Sequence, residues 1–174
     1  MRELILSFAD PLRWRDKKQV EKLDEESWRE LRLKVLKRDD FICQYCGYRS
    51  EKFQIIHHAD DNPDNNDESN LVTICQMCNV ILHSGQGCVV KGIVDLYKES
   101  RFTQNEIIQI TRNMRDEGKS DNEIIKFLGL EHKVPFKMDK HYLRQLFGFV
   151  TSRSTITGDD MYDRWKKYHE SIHS

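Results

Sequence analysis

Two stretches decide the fold of this chain, Cys43-Gln44-Tyr45-Cys46-Gly47 and Cys75-Gln76-Met77-Cys78-Asn79. Each holds two cysteines separated by two residues, and 28 residues lie between the two pairs. This spacing lets both sulfurs of a pair reach one ion from a tight turn, and two such turns complete a tetrahedral zinc site. Gly47 suits the turn, because glycine adopts backbone angles that other residues avoid. We therefore predict a structural Zn²⁺ held by Cys43, Cys46, Cys75 and Cys78.

The other interpretations of these cysteines are redox-active thiols, thiols that are merely buried, and disulfides. A redox or buried role would need two coincident pairs, and nothing in the sequence suggests export to an oxidising compartment. A site closed by four cysteines has no open coordination position, so its zinc is expected to stabilise the fold without taking part in chemistry. Cys88 stands alone beside Gly85-Gln86-Gly87 and is expected to be an ordinary small residue.

The composition bounds the class of protein. A chain of 174 residues can form one domain, or a small domain with an appendage. Apolar residues make up 38% and aromatic residues 10%, which suffices for a core although 33% are charged. No run approaches the roughly 18 apolar residues of a membrane span, and no signal-peptide pattern opens the chain. We expect a cytoplasmic protein with no membrane partner.

The formal net charge of −1 argues at first against a nucleic-acid partner, which is usually met by a basic excess. The distribution changes this interpretation. Residues 51–99 carry a net charge of −5, whereas residues 1–50 and residues 100–174 each carry +2. The acid is concentrated between and around the cysteine pairs, where a bound cation would offset it.

The hydrophobic pattern predicts an α+β fold with three parts: a strand and charged arm over 1–24, a core over 25–99 and a helical region over 100–174. In the core we predict a helix over 25–38, strands over 53–57 and 71–74 with a loop over 59–69 between them, and a helix starting near Cys78. Outside it we predict a strand over 3–8, an irregular segment over 10–24, and helices over 91–99, 104–117, 120–128, 139–147 and 159–171. Capping-box patterns begin at Thr103 and at Ser120.

The polar residues near the cysteine pairs suit phosphodiester hydrolysis. Such a reaction needs a base that deprotonates water, and a neutral imidazole serves near pH 7. It also needs a divalent cation to offset charge on the phosphate and the leaving oxygen. His57 ends the first predicted strand and His58 follows it, while Asn79 and His83 are spaced i, i+4 on one helix face. These side chains can converge on one ion or phosphate.

The stretch from Phe41 to His83 resembles the HNH endonuclease family, which has a ββα-metal core that is often framed by Cys-x-x-Cys pairs. The resemblance implies that His58 is the general base, that Asn70 orients it, and that His57 and Asn79 bind the catalytic divalent ion. It implies that His83 acts toward the metal or phosphate. Many members have Asp at the position of His57, and histidine there shifts the preference toward softer ions. Mg²⁺, Mn²⁺ and Ni²⁺ therefore all remain candidates.

Each of these residues also has a plain structural interpretation. Either histidine could be an ordinary buried residue, Asn70 a turn residue, Asn79 a helix N-cap and His83 a surface residue. The pattern as a whole favours function. For Asp60 and Asp61, by contrast, we expect a solvated loop rather than a cation site.

Basic residues in the flanks are candidates for phosphate contact, or else lie on solvated faces. They are Lys34, Lys37, Arg38, Lys140, His141, Arg144, Arg153, Arg164, Lys166 and Lys167. Residues 107–130 resemble the first two helices of a helix-turn-helix, with residues 139–147 as a displaced recognition helix. The alternative is a helical appendage that packs on the core or forms a homodimer.

The predicted function is metal-dependent hydrolysis of DNA by an endonuclease, and the resemblance implies 5′-phosphate and 3′-hydroxyl products. Two rival functions remain: an inert, zinc-stabilised adaptor, and a DNA-binding regulator. The intact histidine pair favours the enzyme.

Overall fold

The computed structural model describes residues 1–9 and 25–154, together with residues 164, 166–168, 170 and 171. The fold mixes helices and strands, as predicted. The predicted irregular segment over 10–24 lies outside the described residues. Most of the predicted helix over 159–171 does so too, although its described residues are helical. Within the described part of the chain, no helix is long and apolar enough to cross a membrane.

The chain forms two compact units, Met1–Arg2 with Ala9–Asn79, and Glu3–Phe8 with Val80–Ser174. The division between the units falls inside one helix, between Asn79 and Val80. The strand that ends at Glu99 pairs with two strands further along the chain, and this pairing assigns it to the second unit.

The first unit has the predicted order of strand, loop, strand and helix. Helix α1 (Glu26–Arg38) precedes strand β1 (Ile55–His58), a 3₁₀ turn (Glu68–Asn70) leads into strand β2 (Leu71–Ile74), and helix α2 (Gln76–Leu82) begins in this unit. The two strands are antiparallel, with Ile55 opposite Ile74 and His58 opposite Leu71. The hairpin therefore carries the histidine pair at the end that adjoins the acidic loop.

Helix α1 is attached to β2 by its own C-terminal residues. The guanidinium of Arg38 donates to the carbonyl oxygens of Glu68 (2.9 Å) and Leu71 (2.7 Å). Asp39 accepts a hydrogen bond from the backbone N–H of Thr73 at 3.1 Å. Val35 and Leu36 are buried on the same helix. Apolar burial and charge-assisted bonds therefore hold α1 against the strand that leads to the second cysteine pair.

The second unit is built around a three-stranded antiparallel sheet in the order β4–β3–β5. Its strands are β3 (Val94–Glu99), β4 (Glu131–Val134) and β5 (Phe147–Val150), and its helices are α3 (Gln104–Asp116), α4 (Asp121–Leu128) and α5 (Lys140–Arg144). Its core includes a cluster formed by Tyr97, Ile107, Ile124, Leu128, Leu130 and Phe149.

Both predicted capping boxes are confirmed. Thr103 accepts a hydrogen bond from the backbone N–H of Glu106, whose carboxylate accepts from the N–H of Thr103. Ser120 and Glu123 form the same pair at the start of α4. Helix α4 ends at Gly129, whose φ of 66° lies in the left-handed region that glycine occupies without strain.

Three predicted elements are wrong. Residues 94–99 form a strand and not part of a helix over 91–99, and residues 147–150 form a strand beyond a helix that ends at Arg144. Residues 3–8 form no strand. Their alternation does bury Leu4 and Leu6, but the backbone N–H of Leu4 bonds to the side chain of Asn105 (2.9 Å) instead of a strand ladder.

The region over 100–174 is therefore not helical throughout. Helices α3 and α4 form as predicted, but strand β4 follows α4 directly, and α5 has five residues. The predicted helices failed where distant strands were available as partners, because pairing of this kind overrides weak local preference.

Candidate metal centre and catalytic site

The four paired cysteines converge on one point in the first unit. All four are buried, and their sulfur atoms lie within 4.8 Å of one another. The Sγ atoms of Cys46 and Cys75 are 3.7 Å apart. Four sulfurs placed tetrahedrally about 2.3 Å from zinc would stand about 3.8 Å from one another. The donor set and its spacing therefore fit a structural Zn²⁺.

The four thiols also shift one another's pKa values. Hydrogen bonds from the thiol of Cys46, and then of Cys75 and Cys78, lower the pKa of Cys43 far below its ordinary value. The hydrogen bond between Cys78 and Cys43 in turn raises the pKa of Cys78. A cluster without metal thus accommodates one thiolate at the expense of the others. A divalent cation removes that conflict, because every ligand can then be deprotonated.

Backbone geometry prepares both turns for this role. Gly47 has φ = 78°, and its N–H donates to the carbonyl oxygen of Cys43 at 2.9 Å. The buried side chain of Gln54 donates to the carbonyl oxygens of Phe41 and Tyr48, which closes the loop around the first pair. In the second pair, the N–H of Cys78 points at the sulfur of Cys75 (3.4 Å).

His57 and His58 are both buried at the end of β1, each with 6% of its surface exposed. Adjacent strand residues point to opposite faces, so the two rings have different surroundings. Val72 lies opposite His57 in the ladder, and Leu71 lies opposite His58. One histidine can therefore serve as a ligand while the other serves as a base.

The imidazole ring of His58 contacts one residue through its face and another through its edge. Its ring is parallel to the indole of Trp28 in α1, and its Nε2 lies 2.9 Å from Oδ1 of Asn66 in the acidic loop. An amide oxygen only accepts hydrogen bonds, so this contact assigns the proton of the neutral ring to Nε2. Nδ1 then carries the lone pair.

Asn70, which the resemblance assigns to orienting the base, bonds to the loop. Its Nδ2 donates to Oδ1 of Asp60 and to the carbonyl oxygen of Asn65, both at 2.9 Å. Asp60 also accepts hydrogen bonds from the side chain of Asn65 and the backbone N–H of Asn62. These bonds, led by that of Asn65, lower the pKa of Asp60 to about 2. Asp60 and Asn70 together fix the loop that carries Asn66.

Asp61 turns back toward the histidine pair. Its N–H donates to the carbonyl oxygen of His58 (2.9 Å), and its φ of 59° is left-handed. One carboxylate oxygen lies 3.9 Å from Nε2 of His57, and 32% of the side chain is exposed. The solvated loop predicted for this residue therefore has a partly buried carboxylate beside an imidazole.

Asn79 and His83 lie on the helical backbone that follows the second cysteine pair. Asn79 is half-buried within α2 at the end of the first unit. His83 follows α2 by one residue and is half-buried in the second unit. The backbone stays helical there, since the carbonyl oxygen of His83 accepts from the N–H of Gly87 at 2.9 Å. Asn79 and His83 are therefore spaced i, i+4 along helical backbone.

Several basic candidates for phosphate contact have intramolecular partners. Lys34 pairs with Glu68 (2.7 Å), and Arg38 is bonded to β2 as described above. In the second unit Arg153 pairs with Asp95 (2.7 Å), and Arg164 donates to the carbonyl oxygen of Val90 (2.6 Å). These contacts account for part of the basic charge in the flanks without any nucleic acid.

The sequence analysis did not single out Trp28 or Asn66 for this site, and it assigned Asp61 to a solvated loop. Asp61 had a usable signal, since it is four residues after His57. Asn66 lies among several asparagines that look alike in the sequence, and Trp28 is 30 positions from its partner. Only the fold brings them to the histidines.

Comparison with known proteins agrees with this geometry. Residues 43–85 match the family model of the HNH endonuclease, so this segment is an HNH domain.

One curated relative matches a longer part of the chain. It is the type 4 apparatus protein DotN of Legionella pneumophila, which is 37% identical over 71 residues. The match covers 41% of this chain and 32% of DotN, so the chain spans about a third of that relative's length.

Proposed function

We propose that this chain is a metal-dependent endonuclease that hydrolyses phosphodiester bonds of DNA. The observation that carries the proposal is the intact, buried pair His57-His58 at the end of a strand in an HNH domain, with the ring of His58 held by Trp28 and Asn66.

In this proposal His58 is the general base. The contact of Nε2 with Asn66 keeps the proton on that nitrogen, so Nδ1 takes the proton from the attacking water. Stacking on Trp28 limits rotation of the ring, which keeps Nδ1 in one direction. Asn70 contributes by fixing the loop through Asp60, and so acts on the base through Asn66.

His57 and Asn79 would hold the catalytic ion, and His83 would act toward that ion or the phosphate. The fit rests on donor chemistry: a buried imidazole and a half-buried amide suit Mn²⁺ or Ni²⁺ as well as Mg²⁺. The ion would stabilise charge on the phosphate and on the departing 3′ oxygen. The products would be a 5′-phosphate and a 3′-hydroxyl.

We propose DNA as the partner in the cytoplasm, where cysteines remain reduced and able to bind zinc. The small net charge of −1 makes non-specific affinity weak and sensitive to salt. Cleavage of both strands from one active site per chain would call for a homodimer. The exposed Lys140, His141 and Arg144 of α5 are the proposed additional DNA contacts.

A plasmid-nicking assay tests the function. Zinc-loaded protein is incubated with supercoiled DNA and Mg²⁺, Mn²⁺ or Ni²⁺, and the variants His58→Ala and His57→Ala are compared with wild type. His132→Asn, which changes an exposed histidine of β4 and tolerates its left-handed backbone, is the matched control. We expect wild type and His132→Asn to cut at similar rates and His58→Ala to lose at least about a hundredfold, since general-base catalysis contributes 10²–10⁴.

The second candidate function is that of a non-catalytic subunit of a secretion apparatus. It is favoured by the similarity to the type 4 apparatus protein DotN. Intact DNA with wild type under every metal would remove the enzyme and leave this candidate. Equal cutting by His58→Ala would leave the enzyme but remove our assignment of its base.

A further inference from the structure

We infer that Asp61 is a protein ligand of the proposed catalytic ion, in addition to His57 and Asn79. The inference deepens the proposed function and rests on the metal site assigned there. It starts from one contact: Oδ1 of Asp61 lies 3.9 Å from Nε2 of the buried His57.

The distance suits a shared cation better than a direct bond. A charge-assisted hydrogen bond between imidazole and carboxylate is about 2.7–2.9 Å long. Two ligands that each sit about 2.0–2.2 Å from one ion stand roughly 3–4 Å apart. The separation of 3.9 Å falls within that range, so both atoms can bind the same ion.

The backbone holds the carboxylate in this place. The left-handed conformation of Asp61 and its hydrogen bond to the carbonyl oxygen of His58 fold the chain back over the end of β1. The neighbouring Asp60 is fixed by three hydrogen bonds from Asn62, Asn65 and Asn70. The carboxylate of Asp61 is therefore pre-positioned, which lowers the entropic cost of binding an ion.

The chemistry of the donor set supplies a reason for such a ligand. His57 and Asn79 are both neutral donors, so they leave the charge of a divalent ion uncompensated. A carboxylate adds one negative charge and a hard oxygen, which raises affinity for Mn²⁺ and Mg²⁺ relative to softer ions. Asp61 would thus supply the carboxylate that many members of the family have at the position of His57.

Mn²⁺ titration of the full-length, zinc-loaded chain tests the inference without DNA, with free Mn²⁺ measured by electron paramagnetic resonance. Asp61→Gly removes the carboxylate and tolerates φ = 59°, and Asp61→Asn keeps the shape while removing the charge. The matched control is Asp64→Asn, an exposed carboxylate in the same loop. We expect about tenfold or greater loss of affinity in Asp61→Gly, a smaller loss in Asp61→Asn, and a change within about twofold in Asp64→Asn.

A crystal grown with Mn²⁺ separates a direct ligand from a carboxylate that only orients His57. An anomalous peak within about 2.5 Å of an Asp61 oxygen supports the inference, and a peak bound to His57 but more than about 3.5 Å from that oxygen overturns it.

Failure of the inference differs from failure of the proposed function. Unchanged Mn²⁺ affinity in Asp61→Gly, with loss in His57→Ala, overturns the ligand and leaves the nuclease. Absence of Mn²⁺ binding in wild type overturns the ligand together with the metal site. Asp61-dependent Mn²⁺ binding in a protein that never cuts DNA supports the ligand and overturns only the nuclease.

Discussion

The imidazole of His58 lies parallel to the indole of Trp28, with ring centroids 5.7 Å apart and planes 8° apart. Trp28 lies in the first turn of α1 and therefore makes that helix part of the proposed catalytic site. With 6% of its surface exposed, His58 is also largely shielded from solvent. The stack thus restricts the motion of the proposed base.

Removal of the indole should affect stability and catalysis together. We expect Trp28→Ala to lower the free energy of unfolding by about 2 kcal/mol, since it loses both apolar burial and a ring pair. The nicking rate should fall about tenfold, because His58 gains freedom to rotate. Trp28→Phe should retain most of the wild-type stability and nicking rate, because it keeps an aromatic ring beside His58. Leu33→Ala, an exposed change on the same helix, is the control and should leave both values as in wild type. Chemical denaturation and the nicking assay measure the two effects; unaltered cutting by Trp28→Ala would exclude a positioning role.

Asn66 should act through the tautomer of His58. In Asn66→Ala the ring loses the acceptor at Nε2, so the fraction with the lone pair on Nδ1 declines. We expect the nicking rate to fall about tenfold while Mn²⁺ affinity stays within about twofold. Nitrogen chemical shifts of the His58 ring report the tautomer directly. Ser69→Ala, an exposed change in the same loop, is the control; a tautomer that is the same in Asn66→Ala as in wild type would contradict the assignment.

Loss of zinc should unfold the first unit selectively. Structural zinc in small sites contributes about 10–16 kcal/mol of binding free energy, and that free energy becomes folding free energy. We expect Cys75→Ser, or a chelator, to collapse the amide signals of residues 41–79 while those of residues 94–150 persist. Cys88→Ser is the matched control, because Cys88 lies outside the cluster. Retention of dispersed signals from β1 and β2 in zinc-free protein would show that the cluster is dispensable.

The second unit should lose stability in acid through Asp121. Burial alone would raise the pKa of this carboxylate, but hydrogen bonds from Ser152 and Arg115 lower it below the ordinary value of 3.8. A lowered pKa means that the carboxylate stabilises the fold above about pH 4, and that this contribution disappears as the pH falls through the folded-state value. We expect Asp121→Asn to flatten that acid dependence and Asp116→Asn to leave it intact. Hydrogen exchange of α4 and β5 amides against pH measures it, and identical profiles for Asp121→Asn and wild type would refute it.

The capping boxes were predicted correctly and two strands were not, for a physical reason. The capping boxes at Thr103 and Ser120 involve residues three apart, so their chemistry is complete within the local sequence. The strand over 94–99 and the strand over 147–150 exist because each pairs with the other across about fifty residues. Local preference carries no record of such a partner, and for this reason helices were predicted there instead.

The cysteine spacing alone determined the fourfold cluster, since ligand geometry imposes the same short spacing wherever such a site occurs. Together with the polar residues His57, His58, Asn70, Asn79 and His83, it also indicated the HNH segment. The histidine pair was evident in the same way, as two adjacent residues. The tertiary structure decided what surrounds that pair: Trp28 on the face of His58, Asn66 on its edge, and Asp61 beside His57. Trp28 and Asn66 are distant in sequence or lie among look-alike neighbours, and even Asp61 needs a left-handed turn to reach its imidazole. Their roles therefore depend on how the backbone folds.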